Sequence, residues 1–257
     1  MEAQFQMNNS TTKSHIISGT LGAASLFVIW VLISSLQENN FNFPSVGEIY
    51  KSLINSLSEP LFWSSFLYTI IRIFIVLLAS LFLSIFLSFI YVWKKTFFTY
   101  FRPLIFLMKA TPLAIISVYL WISLGADSAP YLITFLMIFP VSIEGFITAL
   151  DQISSKYENM IKLENRSIFT KYFRLYLPMI FPFIIMTILQ TFGMSLKVMI
   201  MGEYICQTNT SLGRLIYDYK TSLSFSSLLG MMIIIVLLVS IIELIIKIMS
   251  KKTIKNA

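Results

Sequence analysis

One cysteine, Cys206, and one histidine, His15, occur in 257 residues. A disulfide within the chain, a Cys/His metal cluster and a Cys-His dyad are therefore excluded. His15 reads as an interfacial residue ahead of the first apolar run. Charge is scarce: 12% of residues are charged, against about 25% in an ordinary soluble domain. No soluble catalytic domain fits in what remains between the apolar runs. No paired Asp or Glu stands at a spacing that suits an intramembrane enzyme, so no catalytic residue is expected. The marks of a cleavable signal peptide are missing too: the first apolar run has a polar, charge-poor lead-in and no clear small-residue cleavage site. Nor is there an internal repeat.

What is present is apolar surface. The chain is 57% hydrophobic with a mean hydropathy of +0.81. Runs of about 20 apolar residues are membrane-span candidates. The reading is an all-α polytopic membrane protein with about six transmembrane helices, at 16–36, 61–93, 103–124, 130–150, 175–205 and 226–249. Residues 1–15 form a polar tail and 250–257 a basic one. Pro44-Ser45 opens a short helix to about Leu57, and 207–225 reads as an external polar stretch. A net charge of +7 invites a nucleic-acid reading. In a membrane protein it reports orientation instead, so no nucleic-acid partner is expected. Lys13, Lys94, Lys95, Arg102, Lys156, Lys162, Arg166, Lys171, Arg174 and the C-terminal lysines fall on one side, and only Lys51, Arg214 and Lys220 on the other. The positive-inside rule makes both tails and the loop 151–178 cytoplasmic.

That loop, DQISSKYENMIKLENRSIFTKYFRLYLP, is patterned. Tyr157, Met160 and Ile161 share one helical face, and Glu158 and Lys162 another. Asn165 interrupts, and asparagine tolerates a left-handed backbone well. Ser167 is placed to cap a second helix, accepting from the amide of Phe169 or Thr170. Leu177-Pro178 closes the unit, giving helix, sharp turn, helix.

Within the spans, Ser80, Ser84 and Ser88 form a small-residue stripe that suits close helix packing in lipid. Arg72, Lys109, Glu144 and Lys197 are charges in or near spans. Each costs about 2.5–3.5 kcal/mol on insertion scales, so each should face protein or water. Lys109 and Glu144 could pair. Snorkelling or ion pairing is the plain reading for each of the four, and Lys197, the deepest, is the best candidate for lining a polar pathway instead. Arg72 is a second candidate, within reach of the external side. Thr111-Pro112 removes a backbone hydrogen bond and bends the third span; a bundle that changes shape and a static kink are both compatible with it.

The loop resembles the cytoplasmic coupling loop of ABC-importer permeases. That loop carries Glu-Ala-Ala, a glycine six residues after the Glu, and Leu-Pro ending thirteen residues later. Counting back from Pro178 puts the glycine position at Asn165 and the Glu-Ala-Ala at Asn159, Met160 and Ile161, with Glu158 one place early. The spacing fits and the letters differ. On the loop alone, an amphipathic helix lying on the membrane surface is the competing reading. The likeness extends over residues 44–249, through Thr69-Ile70-Ile71-Arg72, Arg102-Pro103, Ala110-Thr111-Pro112, Trp121 to Gly125, Phe139-Pro140, Gly145 to Asp151 and Gly202-Glu203. It is strongest to the sulfonate, taurine, nitrate and thiamine-pyrimidine branch of the binding-protein-dependent permeases. It implies a type I ABC importer permease fold over 61–249, working as a homodimer in the lipid bilayer. Cytoplasmic ABC ATPase subunits and an extracytoplasmic solute-binding protein would be its partners, and no cofactor is implied. ATPase coupling would fall to Glu158, Asn159, Met160, Ile161, Asn165 and Ser167. The translocation-path candidates are Arg72, Thr111, Pro112 and Lys197. The bacterial inner membrane is the implied location. An ion-coupled secondary transporter is the alternative; it predicts inverted repeats and midplane carboxylates. A small anion and an aromatic vitamin precursor are both open as the solute.

Overall fold

The computed structural model describes residues 44–157 and 166–255, with Gly22, Ser25 and residues 28–32 ahead of them. Among these there is no strand. The helices are α1 (Val46–Ser58), α2 (Pro60–Trp93), the short α3 (Lys95–Phe98), α4 (Arg102–Ala110), α5 (Leu113–Leu124) and α6 (Ala129–Lys156). The last three are α7 (Ile168–Cys206), α8 (Leu212–Thr221) and α9 (Phe225–Lys255). The expected first span, 16–36, lies for the most part outside the described residues.

Local chemistry sets the helix ends. Ser45 Oγ accepts from the Glu48 amide at 3.3 Å, and the Glu48 carboxylate accepts from the Ser45 amide at 2.9 Å. This reciprocal box starts α1 where the sequence predicts it. Pro60 opens α2 in the first turn, where a missing N–H is harmless. Gly125 closes α5 at φ 83°, a left-handed backbone that suits glycine.

The contacts define direction. Ser80 donates to Ser142 at 3.0 Å, and Tyr91 donates to Asp151 at 2.6 Å. Both numbers rise together, so α2 and α6 run parallel. Thr69 meets Glu203, the Phe74 and Phe192 rings lie 6.2 Å apart, and Ser88 meets Tyr172. So α7 runs antiparallel to α2. It is antiparallel to α6 as well, since Thr134 donates to the Met199 sulfur while Gly145 packs on Thr187. Two parallel helices cannot be joined without a crossing between them. Residues 94–128 must therefore traverse the membrane.

They do so as a broken pair. α4 and α5 meet at 97° across Thr111-Pro112. Thr111 is extended (φ −71°, ψ 123°), the conformation a following proline imposes. The sequence predicts one bent helix over 103–124; the break is far sharper, because Thr111 and Pro112 both leave the helical region. Helices α2, α6, α7 and α9 are long and apolar enough to span, and the bent α4–α5 pair, taken as one span, brings the described residues to five candidate crossings.

A second expectation is corrected at Leu177-Pro178. These residues do not end the loop unit. The helix continues from Ile168 to Cys206 through a π-turn at Tyr172–Tyr176, where the Leu177 amide bonds to the Tyr172 carbonyl. The π-turn displaces the bonding pattern just before Pro178, so the residue without an N–H enters an already altered ladder. The stretch 207–225, read as polar connection, holds helix α8, capped by Ser211 on the Arg214 amide.

The core has one cluster around Phe62, Ile73, Phe192, Met199 and Leu212 and a second around Leu87, Phe146, Leu150, Tyr172 and Ile180. Ser80, Ser84 and Ser88 are fully buried in the α2 contact face, as the small-residue stripe predicts. The opposite face of α2 exposes Leu78, Phe82 and Phe86, with Phe82 75% exposed. A patch this apolar suits hydrocarbon and not water.

Candidate functional site

Three polar constellations interrupt the apolar bundle. The first is buried. Glu203 on α7 is 0% exposed and Arg72 on α2 8%. Arg72 Nη1 donates to Glu203 Oε1 at 2.9 Å. Thr69 Oγ1 donates to the same carboxylate at 2.9 Å, and the Gly213 amide does so at 3.3 Å. Arg72 also reaches the carbonyls of Asn209 and Thr210, each at 3.3 Å. Gly213 is required here: a Cβ would sit 2.3 Å from the Tyr204 amide nitrogen and 2.4 Å from Glu203 Cβ. Thr208 donates to the Ala126 carbonyl at 2.7 Å, and Asp127 accepts from the Asn209 amide at 3.1 Å. The 207–211 turn thus ties the same ends of α2, α5, α6, α7 and α8 together.

The second lies at the other end of the bundle, flanking residues 158–165. Asp151 accepts from Tyr91 and, at 3.1 Å, from Lys95. The Tyr91 hydroxyl, and after it the Asp151 carboxylate, hold the Lys95 ammonium above its ordinary pKa. Ser167 Oγ accepts from the Thr170 amide at 3.3 Å and starts α7, as predicted. Tyr172, fully buried, donates to the Ile85 carbonyl at 2.9 Å and meets Ser88. The predicted coupling residues Glu158, Asn159, Met160, Ile161 and Asn165 lie outside the described residues.

The third is a groove of about 1040 Å³ between α7 and α9, lined also by Ile216 of α8. Its α7 wall includes Gln190, Gly193, Met194, Lys197, Met201 and Tyr204, and its α9 wall includes Ser240 and Glu243. On α7 the exposed positions Met186, Gln190, Lys197 and Met201 recur every 3.5 to 4 residues on one stripe. Buried Thr187, Thr191, Ser195 and Val198 occupy the other face. Gln190 and Lys197 are the polar members of that stripe, set among mostly apolar lining residues, and as polar groups in a span they face protein or water and not lipid.

Of the sequence-predicted residues, Lys197 lines this groove. Arg72 does not; it is held in the Glu203 pair. Thr111 and Pro112 make the α4–α5 break, away from the groove. Lys109 and Glu144 pair at 2.8 Å, each about half exposed. Sequence reasoning passed over Glu203 as a partner and Glu243 altogether. The available signal was plain: a carboxylate inside an apolar run demands a cation or water.

A bundle of helices long and apolar enough to cross a membrane defines a multi-pass membrane protein. Residues 57–255, well over half of the chain, match the family described as binding-protein-dependent transport system inner membrane component, and the chain belongs to it. It is thus an ABC transporter permease component, a family that does no catalysis of its own and implies ATPase and binding-protein partners. No curated protein matches the sequence.

Proposed function

We propose that this chain is the transmembrane subunit of an ATP-driven importer. It forms the path for a small solute that an extracytoplasmic binding protein delivers, and it works as a homodimer. The observation that carries the reading is the exposed α7 stripe of Gln190, Lys197 and flanking methionines, with Gln190, Lys197 and Met201 lining the groove between α7 and α9. A second copy placed against this groove would enclose a pathway with Gln190, Lys197, Ser240 and Glu243 set among apolar side chains. Lys94, Lys95, Arg102 and Lys156 cluster at the end where α2 and α6 finish, which supports a cytoplasmic position for that end and for residues 158–165. Loop 151–178 would then dock on the ATPase, with Glu158, Asn159, Met160, Ile161, Asn165 and Ser167 at the contact. Docking biases the inward–outward equilibrium only through contacts that differ between the two states.

Helix α7 suits that role. It runs without a break from Ser167, beside the docking segment, to the groove and on to the Arg72–Glu203 network. The π-turn at Tyr172–Tyr176 and the break at Thr111-Pro112 are the places where backbone bonding is already altered. They are the proposed points of flexure.

The test is uptake in cells carrying the whole transporter. Met160→Asp combined with Ile161→Asp should abolish uptake while the protein is still inserted and folded. Uptake that is unimpaired removes the coupling assignment. Uptake that survives ATP depletion and collapses with an ionophore would instead support an ion-coupled transporter.

A further inference from the structure

The fold pairs the membrane charges described above with two exceptions. Arg72 is bonded to Glu203 and Lys109 to Glu144. Lys197 and Glu243 have no ion-pair partner among the described side chains, which do not include Lys247 one turn beyond Glu243, although one is a cation, the other an anion, and both line the same groove. Glu243 lies within the apolar span Phe225–Ile245, and its carboxylate packs over Gly193, with Oε1 2.8 Å from where a Cβ on residue 193 would lie. Lys197 is one turn further along α7, about 6 Å by helix geometry. A lone anion drawn to Lys197 would meet the charge of Glu243, and a lone cation drawn to Glu243 would meet that of Lys197. A molecule with both charges a few bonds apart satisfies both walls and leaves no ion unpaired in a low-dielectric setting. Gln190 and Ser240 add neutral polar groups along the same walls.

We infer that Lys197 and Glu243 form a two-signed site in the α7–α9 groove that takes a dipolar solute, one small molecule carrying an acidic and a cationic group. The inference rests on the groove being the importer's path.

Thiol labelling tests the site without knowing the solute. Cys206 is buried, so the unsubstituted transporter is the blank. In the membrane-embedded complex, Met194→Cys should react with both a cationic and an anionic methanethiosulfonate reagent. Adding Glu243→Gln should raise the anionic-to-cationic rate ratio on the order of tenfold, and adding Lys197→Met should lower it similarly, since a fixed charge in a low-dielectric cleft alters local ion concentration by that order or more. No reaction at Met194→Cys, or rates indifferent to both charges, overturns the site. So does the pattern of a subunit bridge, in which each of Lys197→Glu and Glu243→Lys breaks the complex and the double exchange restores it. A second measurement reads the solute. Right-side-out vesicles holding the transporter and its binding protein are given a mixture of small acids, amines and dipolar ions, and the accumulated species are identified by mass spectrometry. Accumulation of a dipolar ion, cut at least tenfold by Lys197→Met and by Glu243→Gln with the complex intact, is expected. Accumulation of a simple acid, amine or neutral solute overturns the inference and leaves the importer standing. No accumulation, with the labelling pattern intact, counts against the importer reading and not against the two-signed groove.

Discussion

Truncating Arg72 should damage this protein more than replacing the whole pair. Arg72→Met leaves the Glu203 carboxylate, 0% exposed, with only Thr69 and the Gly213 amide to hold its charge. Breaking a buried pair by removing one partner costs about 3–5 kcal/mol. For a chain near this size, 1 kcal/mol moves the unfolding midpoint by roughly 2–4 °C, so the drop is roughly 6–20 °C. Glu203→Leu should cost a comparable amount, since Arg72 would keep only the Asn209 and Thr210 carbonyls. The double variant, Arg72→Met with Glu203→Leu, replaces the pair by apolar groups and should recover at least half of the loss. The assay is the unfolding midpoint in mild detergent, with size-exclusion profiles confirming that each variant is folded at the start. A double variant no more stable than the worse single would refute the expected recovery, and a double loss equal to the sum of the two singles would show that the two residues act independently.

Gly213→Ala should disrupt the same region from the backbone side. Its Cβ would lie 2.3 Å from the Tyr204 nitrogen, so α8 must lift from α7; overpacking of this kind costs about 1–3 kcal/mol or more, read as a fall in unfolding midpoint. Tyr172→Phe removes the hydroxyl that bonds to the Ile85 carbonyl and meets Ser88. A loss of about 0.5–1.5 kcal/mol is expected by the same measurement, with faster proteolysis near 166–176 if α7 is less firmly held there. Pro112→Ala restores an amide at the α4–α5 break and should shift the 97° bend towards a continuous helix, seen as a longer distance between spin labels at Leu104 and Ile122.

Much of the architecture was readable from residues alone. The spans at α2, α6, α7 and α9 follow from apolar runs, and α1 from Ser45 and Glu48, because these signals are local. The Lys109–Glu144 pair and the buried serine stripe were also readable, since a polar group in a span has few tolerable surroundings. What escaped was non-local or conformational. The Pro112 bend was expected, but its angle depends on α5 packing against α6 and α7, which no local pattern encodes. Leu177-Pro178 looked like a terminus because proline usually marks one; a π-turn carries the helix past it. Arg72 and Glu203 stand 131 residues apart in the chain, so their pairing appears only with the antiparallel register of α2 and α7. Glu243 was lost among the apolar residues of the last span, and the α7–α9 groove that gives it meaning exists only in three dimensions.

Co-purification with an ATPase tests the central claim most directly. The tagged chain, solubilised from its own host in mild detergent, should carry an ABC-class ATPase subunit near one-to-one. That subunit should be released by Met160→Asp with Ile161→Asp, while the fold persists. A stable chain recovered alone, with no nucleotide-dependent partner even after crosslinking, would contradict the account.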